Sequence, residues 1–309
     1  MRKRLFRRSL RRRLRGILTP GFPAFLVLAA GALMAGLAIR FGRGTEPPSA
    51  AAPSPVETLA PQPGEQFQLS VGPREVRDAL TRISRIGHPV RCGRGGQPLV
   101  ALTFDDGPGP RTASVLRILA SRGAAATFFL VGDRLAFPGA PSVEAMGPVH
   151  ALGNHSWAHR SLRRMKQKER RRDLVRASRA IEEAAEAPIV LVRPPFGHRD
   201  RRLDDLITRL GMVQVLWSQT VGDNRRTTAR EILDQVEQGI RPGAIVLLHE
   251  KQATVAALPM ILDHLRERGL RPVTVPELLA ADPPSTPQLR RGICPVARDA
   301  ISQGAGGQP

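Results

Sequence analysis

The stretch Thr103-Phe104-Asp105-Asp106-Gly107-Pro108 decides the fold, and it directly follows an apolar run that begins at Leu99. Such a run predicts a buried strand, and the Gly-Pro pair ends that strand and begins a loop. Neighbouring side chains of an extended chain point in opposite directions, so one aspartate can face a metal while the other faces a substrate. A turn rich in Asp and Gly explains the same residues, and this stretch alone leaves both interpretations open.

Apolar runs and amphipathic patterns alternate through the rest of the chain. Runs typical of strands occupy 99–103, 125–130, 189–192, 213–217, 244–248 and 272–275. Patterns typical of helices occupy 73–86 and about 112–122, 166–187, 200–210, 228–240 and 254–268. This alternation predicts an α/β fold with a parallel sheet. Because polar residues follow one strand end after another and a full barrel cannot be counted, we expect an incomplete (β/α) barrel.

Three further stretches carry residue types that commonly bind metals or take part in catalysis. His155-Ser-Trp-Ala-His159 would present both imidazoles on one face of a helix, a common geometry for binding a metal. The segment Arg193-Pro-Pro-Phe-Gly197 follows a predicted strand, and His249 ends a very apolar one. Taken singly, these are also typical of a chance histidine pair, a rigid turn and a buried core histidine. Their functional interpretation depends on their occurring together.

Together with Asp223, these stretches resemble the polysaccharide deacetylase family, also called the NodB-homology domain or carbohydrate esterase family 4. The resemblance spans about 99–279. It implies a distorted, incomplete (β/α) barrel of NodB type that holds one divalent metal ion, with zinc expected. It assigns the metal to Asp106, His155 and His159. Two imidazoles and one carboxylate would leave an open coordination position for water.

The resemblance also assigns the catalytic roles. Asp105 resembles the general base and Arg193 the residue that orients it. His249 resembles the general acid, and Asp223 the carboxylate that orients this histidine and favours its protonated form. The loop of Pro195, Phe196 and Gly197 would supply a backbone N–H at Phe196 to the oxyanion of the tetrahedral intermediate.

Four positions depart from the family pattern. Phe196 stands where the family has tyrosine, and Asn224 stands where a tryptophan would form an apolar wall. Thr220 replaces an aspartate, and Glu250 follows the histidine where aspartate is usual. None of these changes removes a proposed ligand, base or acid. We expect them to affect substrate fit and rate rather than the type of reaction.

The N-terminal part suggests export. An arginine-rich segment at 1–16 precedes an uncharged run at 17–39, which is long enough to cross a bilayer. The arginines predict a cytoplasmic N-terminus and a single-pass membrane anchor with the catalytic domain outside the cytoplasm. A signal sequence, and hence a secreted protein, is the alternative. A Pro/Ala-rich linker at 40–72, a helical lead-in at 73–97, the deacetylase domain at 98–280 and a tail at 281–309 follow.

Charge and cysteine content bound the partners. The net charge of +20 suggests an anionic partner such as a bacterial wall, and a barrel outside the membrane would not meet nucleic acid. Cys92 and Cys294 could pair in an exported domain, against the alternative of two free thiols. We expect the basic run 163–172 to form the solvated start of a helix and 281–290 to be loosely ordered.

The sequence therefore predicts a metal-dependent hydrolase that removes acetyl groups from an extracellular polysaccharide. The expected substrate is N-acetylglucosamine in peptidoglycan or a chitin-like glycan, and the expected state is a monomer bound to the membrane. Two alternatives remain open. One is a non-catalytic glycan-binding or scaffold module on the same barrel, and the other is an O-acetyl xylan esterase.

Overall fold

The structure, a computed structural model, describes residues 71–136 and 149–294, with Val143, Met146 and Gly147 between them. The predicted basic segment, the membrane-spanning run 17–39 and nearly all of the linker lie outside the described residues. Within the described part, no helix combines the length and the apolar character that crossing a bilayer requires.

One parallel sheet of eight strands forms the centre of the described region. Its strands are β1 Leu99–Gly107, β2 Thr127–Leu130, β3 Ala151–Asn154, β4 Leu191–Val192, β5 Val213–Gln214, β6 Gln219–Thr220, β7 Ile245–His249 and β8 Arg271–Val273. The order across the sheet is β5-β4-β3-β2-β1-β7-β6, and β8 pairs with the beginning of β1. The sheet curls without closing, which confirms the incomplete barrel of NodB type.

Helices occupy the connections between the strands. They are α1 Pro73–Ile86, α2 Thr112–Ser121, α3 Gln167–Ala185, α4 Arg201–Arg209, α5 Ala229–Gly239, α6 Gln252–Glu267, α7 Val275–Ala281 and α8 Thr286–Arg291. The first six match the predicted spans to within two residues. The expectation of a loosely ordered segment at 281–290 is wrong, because Ser285 and Gln288 form a capping box that begins α8.

Strand boundaries were predicted less well than helices. The sequence did not indicate β3 or β6, and the run 213–217 forms a strand only over Val213–Gln214. Beyond that point the amide of Val215 still donates to the carbonyl of Val192 in β4, and on the other edge the amide of Leu216 donates to the carbonyl of Val90. The basic run 163–172 is also not wholly solvated. Arg170 is buried and makes a two-pronged ion pair with Asp200, with N–O distances of 2.8 and 2.9 Å.

Alternation along β1 separates two apolar layers and prepares the site. Leu102 and Phe104 pack into the larger cluster with the helices, whereas Leu99 and Ala101 pack into the smaller one. Since side chains alternate across a strand, Thr103 and Asp105 point to the same side as Leu99 and Ala101. The strand therefore brings a polar end to an otherwise apolar interior.

The lead-in segment lies along the open side of the sheet. Val90 pairs with Val215 just after β5, and Cys92 pairs with Ala244 just before β7. Cys92 also forms a disulfide with Cys294, so the expected pairing of these two cysteines is present in the structure. The disulfide holds the segment after α8 against the lead-in.

Candidate active site

A buried ion pair lies at the centre of the site. Nη1 of Arg193 is 2.7 Å from Oδ1 of Asp105 and 2.8 Å from Oγ1 of Thr103, so three residues from β1 and the end of β4 meet. The Arg193 side chain is completely buried and that of Asp105 nearly so. A charge-assisted hydrogen bond between two side chains so deeply buried from solvent fixes the orientation of the carboxylate.

The rest of the Arg193 guanidinium is also occupied. Nε and Nη2 donate to the carbonyl oxygens of Val215 and Leu216, at 3.2 and 3.0 Å, and its carbon lies 4.1 Å from the ring centre of Phe129. Burial lowers the pKa of Arg193, and the charge of Asp105 opposes this effect. Arg193 is therefore held as a fixed positive charge behind the carboxylate that it contacts.

Asp106, His155 and His159 form a cluster that suits a divalent cation. Their ligand atoms lie within 4.8 Å of one another, and Oδ1 of Asp106 is 3.1 Å from Nε2 of His159 and 3.8 Å from Nε2 of His155. Oδ1 of Asp106 is buried, yet no hydrogen bond within the described part of the chain satisfies it. A buried carboxylate oxygen facing two imidazole nitrogens is the arrangement that a metal would complete.

The protonation of the two imidazoles also suits a metal. Nδ1 of His155 lies 2.7 Å from the carbonyl oxygen of Arg193, which places a proton on Nδ1 and leaves the lone pair on Nε2. Burial lowers the pKa of both histidines, although Asp106 raises it, so the neutral ring is favoured. For Asp106 itself, burial raises the pKa, but the neighbouring His155, His159, His249 and Arg134 together lower it, so the net shift is downward.

The sequence pattern suggests that the histidine pair lies on a helix, but the structure places it in a loop. The segment after β3 is irregular, and Ser156 and His159 have φ angles of 72° and 51°. The side chain of Asn154 accepts from the amide of Ser156 at 2.7 Å, which fixes the first of these turns. The two rings meet on one side because the loop turns sharply, with ring centres 5.0 Å apart.

His249 and Asp223 form a second, separate pair. Nδ1 of His249 is 2.8 Å from Oδ1 of Asp223, and the other carboxylate oxygen accepts from the amide of His249 and from Thr254. Burial lowers the pKa of His249, but the hydrogen bond and charge of Asp223, with help from Asp105 and Asp106, outweigh it. The pKa of His249 is therefore raised above 6.5, which favours the protonated ring.

Strand register brings the two pairs together. Asp105 and His249 are register partners on the neighbouring parallel strands β1 and β7. Register partners in a sheet project to the same side and stand about 5 Å apart. A carboxylate and a histidine thus face one cleft beside the metal-binding cluster, as the predicted roles of base and acid require.

The loop of Pro195, Phe196 and Gly197 covers one wall of this cleft. Phe196 is 58% exposed, and its ring stands edge-on to His159 with centres 4.7 Å apart. Gly197 has φ 65°, and a β-carbon there would lie 2.8 Å from the ring of Trp217, so the loop needs a glycine. Asn224 is exposed and polar, so it does not supply the apolar wall that the family pattern would place there, and Thr220 is exposed as well.

Arg134 contacts the site although the sequence did not single it out. It follows β2, and its Nη1 donates to the carbonyl oxygen of Asp106 and lies 3.9 Å from Oδ1 of the same residue. No sequence pattern distinguishes this arginine, because the chain contains many arginines with similar neighbours in the sequence.

In the sequence, Glu250 stands out only because the family usually has an aspartate at this position. Its side chain is half-buried and accepts from the hydroxyl of Thr112, and a β-carbon at position 107 would come within 2.6 Å of its Oε1. Burial raises the pKa of Glu250 to about 7. The glutamate therefore packs under the loop that carries Asp106, and Gly107 leaves room for it.

Comparison with known proteins gives consistent matches over this region. The family model for polysaccharide deacetylase matches residues 93–215. A peptidoglycan-N-acetylglucosamine deacetylase of Bacillus cereus is 33% identical over 190 residues, which cover 59% of this chain and 89% of the relative. A chitooligosaccharide deacetylase of Sinorhizobium fredii is 33% identical over 193 residues, which cover 56% of this chain and 88% of the relative.

Solved structures agree with these matches. The crystal structure of the Bc1960 peptidoglycan N-acetylglucosamine deacetylase superposes with a TM-score of 0.58 at 30% identity, covering 61% of this chain and 91% of that one. A CE4 family pseudoenzyme from Bacillus anthracis superposes with a TM-score of 0.57 at 27% identity, covering 62% and 68%. Fold, site and relatives agree, and the chain belongs to the polysaccharide deacetylase family of hydrolases.

Proposed function

We propose that this polysaccharide deacetylase is metal-dependent and removes the N-acetyl group of N-acetylglucosamine in peptidoglycan or a chitin-like glycan. One observation carries the proposal: the register pairing of Asp105 with His249 beside the cluster of Asp106, His155 and His159. A binding module would need neither a buried carboxylate held by an arginine nor a histidine held by an aspartate.

Asp106, His155 and His159 would hold the metal, and zinc fits two nitrogens and one carboxylate oxygen. A divalent cation bound there acts as a Lewis acid toward the acetyl carbonyl and water. The carbonyl oxygen of Arg193 fixes the orientation of the His155 ring through its contact with Nδ1.

The residues of this chain then divide the proton transfers. Asp105, held in place by Arg193, accepts the proton of the attacking water. His249, protonated because of Asp223, donates a proton to the leaving nitrogen, so that acetate and an amino sugar result. The backbone N–H of Phe196 is the proposed donor to the oxyanion that forms between these steps.

The substrate assignment draws support from the relatives. Those named above act, by their names, on peptidoglycan N-acetylglucosamine and chitooligosaccharides. A bifunctional xylanase/deacetylase of Pseudobutyrivibrio xylanivorans, 31% identical over 207 residues, keeps the ester substrate as an alternative. The pseudoenzyme among the similar structures keeps a non-catalytic glycan-binding role as the second candidate.

We also propose that the catalytic domain works outside the cytoplasm as a membrane-bound monomer. The disulfide between Cys92 and Cys294 supports export, because such bonds persist in oxidising compartments. The uncharged run at 17–39 supports an anchor. Release of the protein from cells by detergent alone, and not by salt, would test the anchor.

The test of the activity is acetate release by the purified full chain loaded with zinc. Substrates would be N-acetylglucosamine oligomers, peptidoglycan and acetylated xylan, with Asp105→Asn as the matched inactive variant. We expect release from the N-acetylated glycans by the wild type only. Release from xylan alone would support the esterase, and glycan binding without any release would support the binding module.

A further inference from the structure

A second cavity lies beside the active site and has no part in the chemistry above. Its volume is about 450 Å³, which is within the range of ligand-binding pockets. Four separate parts of the chain line it, and the lining residues are His88, Pro89 and Arg91 of the lead-in, Arg199, Trp217 with Ser218, and Leu289, Arg290, Arg291, Gly292 and Cys294 at and after the end of α8. A cavity of this size built from distant segments is a candidate binding site.

The lining of this cavity is strongly cationic. Arg91, Arg199, Arg290 and Arg291 contribute to it, and none of the described residues that line it carries a carboxylate. Arg199 is paired with Asp204, whereas no ion pair forms to the other three arginines among the residues that the structure describes. Burial, and then the charge of Arg199, lower the pKa of Arg91, which shows that the positive charges are crowded together. Such crowding is unfavourable until an anion enters.

Trp217 connects this cavity with the active site. It lines the cavity, and its ring lies against the position of Gly197 and 5.7 Å from the guanidinium of Arg193. An indole face is also a good surface for the apolar face of a sugar ring. A ligand in the cavity would therefore lie one side chain away from the loop that borders the catalytic cleft.

Much of the cavity comes from segments outside the matched family region. Arg91 precedes residue 93 and α8 follows residue 215, the two limits of the match. The disulfide between Cys92 and Cys294 holds these two segments together, and Cys294 itself lines the cavity. The cationic pocket is therefore built largely on segments that precede and follow the eight strands of the barrel.

We propose that this cavity binds carboxylate groups carried by a polysaccharide, so that the enzyme selects an acidic glycan. The proposal rests on the proposed function for the meaning of that selection, but the binding itself needs no catalysis. A guanidinium group binds a carboxylate through two parallel hydrogen bonds, so Arg91, Arg290 and Arg291 are the expected contacts.

The experiment is a titration of the full chain by calorimetry with three probes. They are an oligosaccharide of uronic acids, a neutral oligosaccharide of equal length, and inorganic phosphate. We expect the acidic oligosaccharide to bind at least about tenfold more tightly than the neutral one, since a hydrogen bond to a charged group is strong. The difference should shrink as the salt concentration rises from about 0.05 to 0.5 M.

Two variants locate the binding. Arg290→Gln/Arg291→Gln removes two exposed charges, and Arg91→Gln removes the half-buried one. We expect each variant to lower the affinity for the acidic oligosaccharide at least about tenfold. The control Arg171→Gln/Arg172→Gln removes two exposed charges of α3 and should leave binding unchanged. Equal weakening by the control would overturn the site, and so would unaltered binding by both pocket variants.

The remaining outcomes separate this proposal from the proposed function. Equal affinity for acidic and neutral oligosaccharides overturns the pocket proposal, and so does binding of phosphate alone. Asp105→Asn should bind the acidic probe as the wild type does. The wild type could release no acetate and still bind the acidic oligosaccharide with an affinity that falls in the arginine variants. In that case the deacetylase proposal fails and the pocket proposal stands.

Discussion

The carbonyl oxygen of Arg193 lies 2.7 Å from Nδ1 of His155, while the guanidinium of the same residue lies 2.7 Å from the carboxylate of Asp105. One residue therefore orients both the proposed base and a proposed metal ligand, the first through its side chain and the second through its backbone. Substitutions at position 193 should disturb the base and leave the histidine contact in place.

Arg193→Met should lower the stability of the protein by about 3–5 kcal/mol, because it leaves the buried carboxylate of Asp105 without its partner. The double variant Asp105→Asn/Arg193→Met should recover part of that loss, since no unpaired charge remains. Denaturant unfolding of the four proteins measures the coupling. Additive losses in the two single variants would contradict a buried ion pair.

Asp223→Asn should move the alkaline limb of the pH profile of kcat/KM to lower pH. His249 has a raised pKa because of Asp223, and a general acid loses activity as the pH rises through its pKa. Without the carboxylate, that loss should begin at lower pH. Asp234→Asn, at a surface carboxylate of α5, should leave the limb where it is; a shift there would point to a general charge effect.

His159→Ala should weaken zinc binding by more than about 100-fold. Removing a group that merely supports a metal ligand already costs about 10- to 100-fold, and removing the ligand itself should cost more. Calorimetry against zinc measures this directly and needs no substrate. His198→Ala is the matched control, because His198 is an exposed histidine whose ring lies 5.3 Å from that of Phe196. Zinc affinity that survives in His159→Ala would remove this residue from the ligand set.

Glu250→Gln should alter how stability depends on pH. The pKa of Glu250 is raised from 4.5 to about 7, so the folded chain holds this proton more tightly than the unfolded chain does. Its stabilising contribution is complete below about pH 4.5 and is lost as the pH rises through 7, a loss of up to about 3 kcal/mol. Glutamine cannot ionise, so unfolding measured at pH 5 and 8 should differ less in the variant. An unchanged difference would show that Glu250 does not titrate in this window.

Cys92→Ser/Cys294→Ser should lower stability by about 2–5 kcal/mol, because the disulfide closes a loop across a sequence separation of 202. The loss should also widen the cavity lined by Cys294 and weaken binding of the acidic oligosaccharide. Reduction of the wild type without denaturant should reproduce both effects. A stable variant with unchanged binding would show that α8 is held by its other contacts.

The strands that sequence reasoning found and those it missed differ in composition. β1 and β7 are buried on both faces, so each reads as a continuous apolar run. β3 contains Gly153, where a β-carbon would come within 2.6 Å of Phe129, and β6 consists of Gln219 and Thr220. Neither composition resembles a strand, because close packing and sheet register decide these positions.

The candidate site could be predicted in its residues and not in its geometry. The motifs gave Asp105, Asp106 and both histidines, but a His-x-x-x-His spacing suggested a helix where a loop of positive φ occurs. Arg134 and Glu250 could not be recognised, since their importance lies in burial and contact rather than in residue type. Tertiary contacts supply that information, and local spacing does not carry it.

Four of the five non-glycine residues with positive φ in the described part of the chain belong to the active-site loops: Asp106, Ser156, His159 and Phe196. Left-handed backbone costs a side chain about 1–2 kcal/mol at each position, so the surrounding barrel must impose it. Transplanting only the ligands and the acid–base pair onto another scaffold would therefore not reproduce this catalyst. A designer would have to copy the main-chain path of all three loops along with them.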